Sequence, residues 1–448
     1  MASITAVLEE LKRNPLQAVA RTLVDAVCRE EGYAWRERDL PPAVTMGLFL
    51  QQVLQGNICC AAIGHICKQP LTGSAWCQAR ARLPLGVFQK VLRRVYEAGR
   101  RGDRQAGELW RGHRTFHVDG TGVTLWDAPE LRQTFGLPGG VQVGCGFPVS
   151  HLLVLFNAPN GLLADVQAAP ARRGYLADVP ALLAHLQAGD VLVGDGSFGC
   201  YAVLALLLRQ QGHGLFPVAH NRIVDFTPGR EFARESQRAA GVPHSRWVKR
   251  LGHRDQLVEY FKPRRGPPWM SPTLWAQLPA AITVRELRRT VRHPTAGVRE
   301  LTMVTTLLDP QAYPPRAVTE LRGARWDVEI NIRHLKTTMK MDMLHCRTVP
   351  GVRKELYVFA LVYNLVRSVL RAAARRQQVA PQRLSFADAL HFLQFVRPGE
   401  ALPRLTVNPW RPFRMEPRVQ KRRDKEFPYM TRPRAAYKTH LDKRKQAA

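Results

Sequence analysis

Thr115-Phe116-His117-Val118-Asp119-Gly120-Thr121 decides the fold. It reads as a short apolar strand that ends in an Asp-Gly pair. Asp190-Val191-Leu192-Val193-Gly194-Asp195-Gly196 repeats the design, a buried strand closing on a second Asp-Gly. Around these two, His151–Phe156, Gly161–Ala168 and Gly214–Ala219 read as strands, and Leu182–Leu186 and Ala202–Gln211 as helix. Strands alternating with helices predict an α/β sheet with parallel elements. Ligands of such sheets gather beyond the carboxyl ends of the strands, where Asp119 and Asp195 stand. Asp-Gly after a strand is also ordinary turn chemistry, and for either Asp alone that is the stronger reading.

A third carboxylate changes the balance. Arg325-Trp-Asp-Val-Glu-Ile-Asn-Ile-Arg-His-Leu-Lys336 has a helical rhythm. It places Glu329 four residues after Arg325 and seven before Lys336, near one helix face. A solvated face laced with i,i+4 ion pairs explains this segment equally well. Taken together, Asp119, Asp195 and Glu329 offer three hard oxygen ligands, suited to Mg²⁺ or Mn²⁺. Two such ions activate a water or a 3′-hydroxyl and stabilise the leaving oxygen in displacement at phosphorus.

Charge supports a polyanionic partner. The chain has 448 residues, with 66 Lys and Arg against 36 Asp and Glu, for a net charge of +30. Double-stranded DNA is the default partner for that balance. A membrane surface is the rival, but no run of about 18 apolar residues is present. The most apolar helix, Tyr357–Leu370, is interrupted by Asn364 and Arg367. The first residues lack an apolar signal core, and Glu9 and Glu10 argue against a transit peptide. The eight cysteines form no Cys-x-x-Cys pair and no zinc spacing. The expectation is a reducing, cytoplasmic location.

The chain divides by pattern. Residues 1–110 are helical. Val44–Ile66 is an apolar helix broken near Gly56. Ser74 is a candidate N-cap for a short helix presenting Gln78, Arg80 and Arg82 in a helix-turn-helix-like arrangement. Residues 111–221 are the first part of the α/β core. Residues 222–305 read as a β-rich insertion, helices return over 306–400, and 401–448 form a basic tail with Arg418–Arg423 and Lys443–Lys445. His117, two residues before Asp119, reads as a sheet residue. Trp247, Trp269 and Trp275 in the insertion read as packing residues more than as holders of a flipped base.

Several motifs together resemble DDE-class insertion-sequence transposases of the insertion-sequence-four family. His117-Val-Asp-Gly-Thr-Gly122 resembles the first-Asp strand, Pro138–Pro148 the segment after it, and Val193-Gly-Asp-Gly-Ser-Phe-Gly-Cys-Tyr201 the second-Asp motif. Arg325-Trp-Asp-Val-Glu-Ile with Leu335-Lys-Thr337 resembles the Tyr/Arg/Glu/Lys signature. Lys354-Glu-Leu and Tyr363-Asn-Leu365 continue it.

The resemblance implies an RNase H-like catalytic core interrupted by the β-rich insertion, with a helical N-terminal DNA-binding domain and the basic C-terminal tail. It implies Asp119, Asp195 and Glu329 as catalytic metal ligands, and Arg325 and Lys336 as phosphate contacts, with Arg322 a further cation. It implies binding of terminal inverted repeats, metal-dependent cleavage and strand transfer, a homodimer on DNA and a bacterial, nucleoid-associated setting. The alternative is a DNA-binding-only copy or repressor. Arg322 stands where the signature has Tyr, Gly196 where a basic residue often follows the second Asp, and Pro217 where an Arg is expected. A junction nuclease would share the triad and the charge, but not the remaining motifs.

Overall fold

The computed structural model describes residues 21–66, 70–101, 109–138, 145–171, 173–219, 221–233, 242–293, 297–396, 400–409 and 436. The basic motifs of the tail, Glu9 and Glu10, and residues 139–144 of the Pro138–Pro148 motif lie outside them. Among the described residues the strands are β1 (Thr115–Thr124), β2 (Val149–Asn157), β3 (Leu163–Pro170), β4 (Val191–Val193), β5 (His213–Pro217), β6 (Ser245–Gly252), β7 (Asp255–Phe261), β8 (Ala281–His293) and β9 (Gly297–Thr305). They form one sheet in the order β3-β2-β1-β4-β5-β9-β8-β7-β6. β1, β4 and β5 run parallel, and the remaining pairings are antiparallel.

The β-rich insertion expected over 222–305 is therefore not a separate layer. β9 pairs with β5 through Leu215↔Thr305 and Phe216↔Val304, so the insertion extends the core sheet from its edge. An exposed edge invites unwanted pairing, and this junction removes it.

Both faces of the core strands are covered. Along β2, Leu152, Val154 and Phe156 join one apolar cluster, while Leu153 and Leu155 join another. That is the alternation a pleated strand imposes, and strands covered on both faces become apolar throughout. Among the described residues the helices of eight residues or more are α1 (Arg21–Glu30), α2 (Pro42–Leu54), α3 (Gly73–Arg82), α4 (Leu85–Arg101), α5 (Tyr201–Arg209), α6 (Pro315–Gly323), α7 (Trp326–Arg333), α8 (Val349–Gln377) and α9 (Phe386–Phe395). Short helical turns such as Tyr175–Asp178 and Val179–Leu183 lie between them. Helix α5 packs on the second face. Helices α1–α4, α7, α8 and α9 contribute to the first.

Helix α8 is the spine. Thr348 caps it by accepting from the Gly351 N–H at 3.2 Å. By length and composition it would cross a membrane, but 94% of its most apolar window is buried inside the molecule. Its polar interruptions are used internally. Asn364 accepts from Leu163 N at 2.8 Å and donates to Leu163 O at 2.9 Å, matching β3 like a neighbouring strand. Arg367 donates to Asn160 O, and Lys354 donates to Arg80 O and Ala81 O at the end of α3. Buried polar groups must find such partners.

The N-terminal helices do not stand apart. Val24, Met46, Phe49, Phe88 and Leu92 share a core with Leu356, Phe359 and Tyr363 of α8. The break near Gly56 is real: Gly56 and Asn57 both have positive φ, ending α2. The cap of α3 is Thr72, whose hydroxyl accepts from Ala75 N at 3.2 Å, and not Ser74.

Candidate active site

Parallel pairing aligns the two Asp residues. β1 and β4 match Thr115↔Val191, Phe116↔Leu192 and His117↔Val193. Asp119 and Asp195 each lie two residues further, at the same level and on the same side. Asp195 stands past the end of β4, but β1 does not end at Asp119-Gly120 as its sequence suggested, because pairing with β2 carries it on to Thr124, with Asp119 opposite Val154. Asp195 caps the turn Gly196–Phe198, accepting from Ser197 N at 2.9 Å. Gly194 is required there: a Cβ would sit 2.9 Å from Val118 and 2.8 Å from Phe198. Burial pushes the Asp119 carboxyl above its ordinary range and Asp195 adds repulsion. The Gly120 N–H, at 2.8 Å, and Arg325 act the other way.

Helix α7 brings the third carboxylate. Arg325, at its N-terminus, donates from Nη1 to Asp119 Oδ2 at 3.0 Å and from Nη2 to Glu329 Oε1 at 2.7 Å. The i,i+4 pair anticipated on one helix face therefore forms, and it also reaches across to β1. Lys336 lies in a π-helical turn, His334–Thr338, that follows α7. Its Nζ donates to Gly122 O at 2.6 Å and Thr121 Oγ1 at 3.3 Å. Such π turns are frequent at functional sites. Arg322, from α6, feels Asp195, Glu329 and Asp119; burial and Arg325 nevertheless pull its guanidinium down to about 10.

His117 faces the same side of β1 as Asp119. It is only 1% exposed, and neither ring nitrogen has a partner. Burial, followed by Arg325 and Arg322, lowers its pKa to about 4, so the ring is neutral. It lies beneath the site.

The donor set suits a divalent cation: three hard oxygens, two of them like-charged neighbours on adjacent strands. Among the described residues, no three carboxylate, imidazole or thiol groups are drawn together tightly enough to hold a metal as they stand. The Arg325 guanidinium bridges Asp119 and Glu329 instead.

Two of the departures from the signature touch. A Cβ on Gly196 would lie 3.6 Å from Pro217 O. The two positions where basic residues were expected thus form one small, uncharged corner, and Arg322 brings the cation from another element.

Of the α3 side chains expected to face DNA, Gln78 and Arg82 are exposed, whereas Arg80 is half-buried. Its guanidinium is folded inward, donating to Gln52 Oε1 at 3.3 Å and Cys60 Sγ at 3.0 Å, over the Phe49 ring at 4.6 Å. It bonds the helices together and is not presented to a ligand. Trp269 and Trp275 pack against the α5-side core, Trp275 edge-on to Tyr201 at 5.7 Å. Trp247 buries its indole N–H.

Residues 110–365 match the family described as the transposase DDE domain. The chain belongs to that family. It is 28% identical over 200 residues to the transposase InsG of insertion sequence element IS4 from Escherichia coli strain K12, covering 40% of this chain and 43% of that protein. It is 28% identical over 165 residues to the putative transposase InsZ of the same organism, covering 36% of this chain and 54% of the relative. The matched stretches thus span about half the length of these relatives or less. Among solved structures, the piggyBac transposase in a synaptic complex with hairpin DNA is similar over 88% of this chain and 80% of that one, at 8% identity and a TM-score of 0.41.

For a DDE domain, the sequence reading missed two aromatic groups. Trp326, beside Arg325, is 61% exposed, the signal being an aromatic on the polar face of an amphipathic helix. Tyr175 reaches the site from the α5 side of the sheet, and no local pattern marks it.

Proposed function

We propose that this chain is a DNA transposase that binds the terminal inverted repeats of an insertion sequence and carries out metal-dependent strand cleavage and strand transfer. The observation that carries the reading is the common level of Asp119 and Asp195 on parallel neighbours, with Glu329 tied to Asp119 through Arg325. The strand order β3-β2-β1-β4-β5, with two antiparallel pairings followed by two parallel ones, supports an RNase H-like core carrying its insertion on the β5 edge.

Asp119, Asp195 and Glu329 would hold one or two Mg²⁺ or Mn²⁺ ions. A bound ion of this kind lowers the pKa of a water or 3′-hydroxyl and stabilises the leaving oxygen. The chain's own work is positioning and neutralisation. Lys336, held to the β1 backbone, sets a fixed positive charge beside the strand ends. Arg325 now gives one Nη to each carboxylate. With those carboxylates holding an ion, its fork would be free to clamp a phosphate in the bidentate manner guanidinium favours. Arg322 adds a half-buried cation. Trp326 offers a face on which an unpaired base stacks. Gln78 and Arg82 remain the exposed DNA contacts of α3, and two protomers are needed to pair two ends.

The test uses labelled duplexes carrying each flank of the gene, incubated with the full chain in Mg²⁺ or Mn²⁺ beside Glu329→Ala. Nicking at the repeat boundary, lost in the variant, is the expected result. Specific binding without nicking in either metal would replace this reading by a DNA-binding-only copy. The corner formed by Gly196 and Pro217 is the observation favouring that second outcome.

A further inference from the structure

We propose that Tyr175 is a DNA-contacting residue of this site, its hydroxyl acting with that of Ser197 on a backbone phosphate of the bound end. The proposal rests on the transposase reading and adds a residue that neither the motifs nor the relatives assign.

Tyr175 is anchored on both Asp-bearing segments at once. Its ring lies over Gly120, the residue after Asp119, so closely that a Cβ there would stand 3.0 Å from two ring atoms. The ring also packs against Phe198 with centroids 5.7 Å apart. Its hydroxyl donates to Ser197 Oγ at 2.9 Å, within the turn that Asp195 caps. The residue is only half-buried, so the hydroxyl opens on solvent at the rim. A phenol hydroxyl is a donor by its ordinary chemistry.

A protonated hydroxyl pair beside two carboxylates has an evident use. It repels nothing, and it donates to the phosphate oxygens that the carboxylates by themselves would repel. The position also answers a gap in the signature. Arg322 of α6 stands where that signature has Tyr, close enough to Asp195 and Asp119 for both to act on its guanidinium. The structure thus supplies a cation from the signature's Tyr position and a phenol from the turn before Val179.

The experiment removes one oxygen. Tyr175→Phe keeps the ring, and with it the packing on Gly120 and Phe198. Anisotropy with fluorescein-labelled flank duplexes in EDTA reads binding, and nicking in Mn²⁺ reads cleavage. Both are measured for the full chain, Tyr175→Phe, Arg322→Tyr and the double variant. The expected result is about a tenfold loss of affinity in Tyr175→Phe, the scale of one hydrogen bond to a charged group, with the melting temperature unchanged. In the Arg322→Tyr background the same change should cost less than about twofold, because a second phenol serves the phosphate. Affinity within about twofold of the parent, or an equal loss in both backgrounds, overturns the proposal. A parent that nicks while Tyr175→Phe matches it overturns the assignment and leaves the transposase reading standing. A parent that does not nick, with the Tyr175→Phe binding loss present, does the reverse. A parent that binds neither flank better than a scrambled duplex overturns both.

Discussion

The two halves of the sheet use charge in opposite ways. In β1 and β4 the carboxylates stand just past the parallel β1–β4 ladder, Asp119 within β1 and Asp195 beyond the end of β4, where they repel each other and Arg325 bridges outward to Glu329. In β7 and β8 they are buried and closed off. Arg285 is fully buried and forks onto Asp255 at 2.7 and 2.5 Å, with Tyr313 O taking a third bond at 2.8 Å. Glu286, on the other face, accepts from Gln256 and Tyr260 at 2.9 Å each. Buried charges of the second kind need all their partners within the fold. Those of the first kind leave valence for something else. One continuous sheet thus carries the candidate site on one half and closed structural polar groups on its extension.

The sharpest break of this comparison is functional. Asp119→Ala, Asp195→Ala and Glu329→Ala should each lower nicking of flank duplexes by at least about 10³-fold, the scale for losing transition-state charge stabilisation. Their melting temperatures should hold or rise, since removal of either Asp relieves like-charge repulsion. A collapse of the fold instead would make these carboxylates structural, like their counterparts in β7.

Asp255→Ala tests the other half. It leaves the Arg285 guanidinium buried and unpaired, for a loss of about 3–5 kcal/mol in chemical denaturation. Nicking per folded molecule should be unchanged.

A third test concerns pH. His334 stacks on Phe386 with centroids 4.2 Å apart, and burial lowers its pKa to about 3. Its folded pKa lies below the unfolded value near 6.5. Between those values the unfolded chain binds the extra proton, so stability rises with pH in that window and falls as pH drops from about 6.5 towards 3. Between pH 7 and pH 5 the wild-type chain should lose about 2 kcal/mol through this group. His334→Phe should flatten that part of the profile, and an unchanged slope would remove His334 from the account.

The smallest effects separate the two arginines of α3. Arg80→Ala should cost about 1–3 kcal/mol of stability through its lost donors and leave affinity for duplexes alone. Arg82→Ala should leave the melting temperature in place and reduce the salt dependence of binding by about one unit of slope. A reversal of the two results would restore Arg80 as a DNA contact.

Arg80 also marks where local reading stops. Its place after a Gly-containing turn gives it the same sequence standing as Arg82. Only Gln52, Cys60 and the Phe49 ring, all from other segments, decide that it turns inward. The Trp residues of the insertion were legible as packing because a large apolar ring buries wherever it can. Tyr175 was not legible, since its ring and hydroxyl meet residues 55 positions before it and 22 after it. The end of β4 was legible, because an apolar run closing on Asp-Gly needs no distant partner to be recognised. The end of β1 was not, since pairing with β2 carries that strand past Asp119-Gly120 to Thr124.

The sequence by itself determined the apolar strands, the helices that return after the insertion, the strong positive charge and three carboxylates of the right kind. These follow from local periodicity, residue chemistry and composition. Only the tertiary structure decided that Asp119 and Asp195 share one level, that Arg325 spans 206 residues of sequence to Asp119, and that the insertion continues the sheet. Register and long-range contact are set by which partners the folded core brings together, and no window of sequence contains both sides of such a contact.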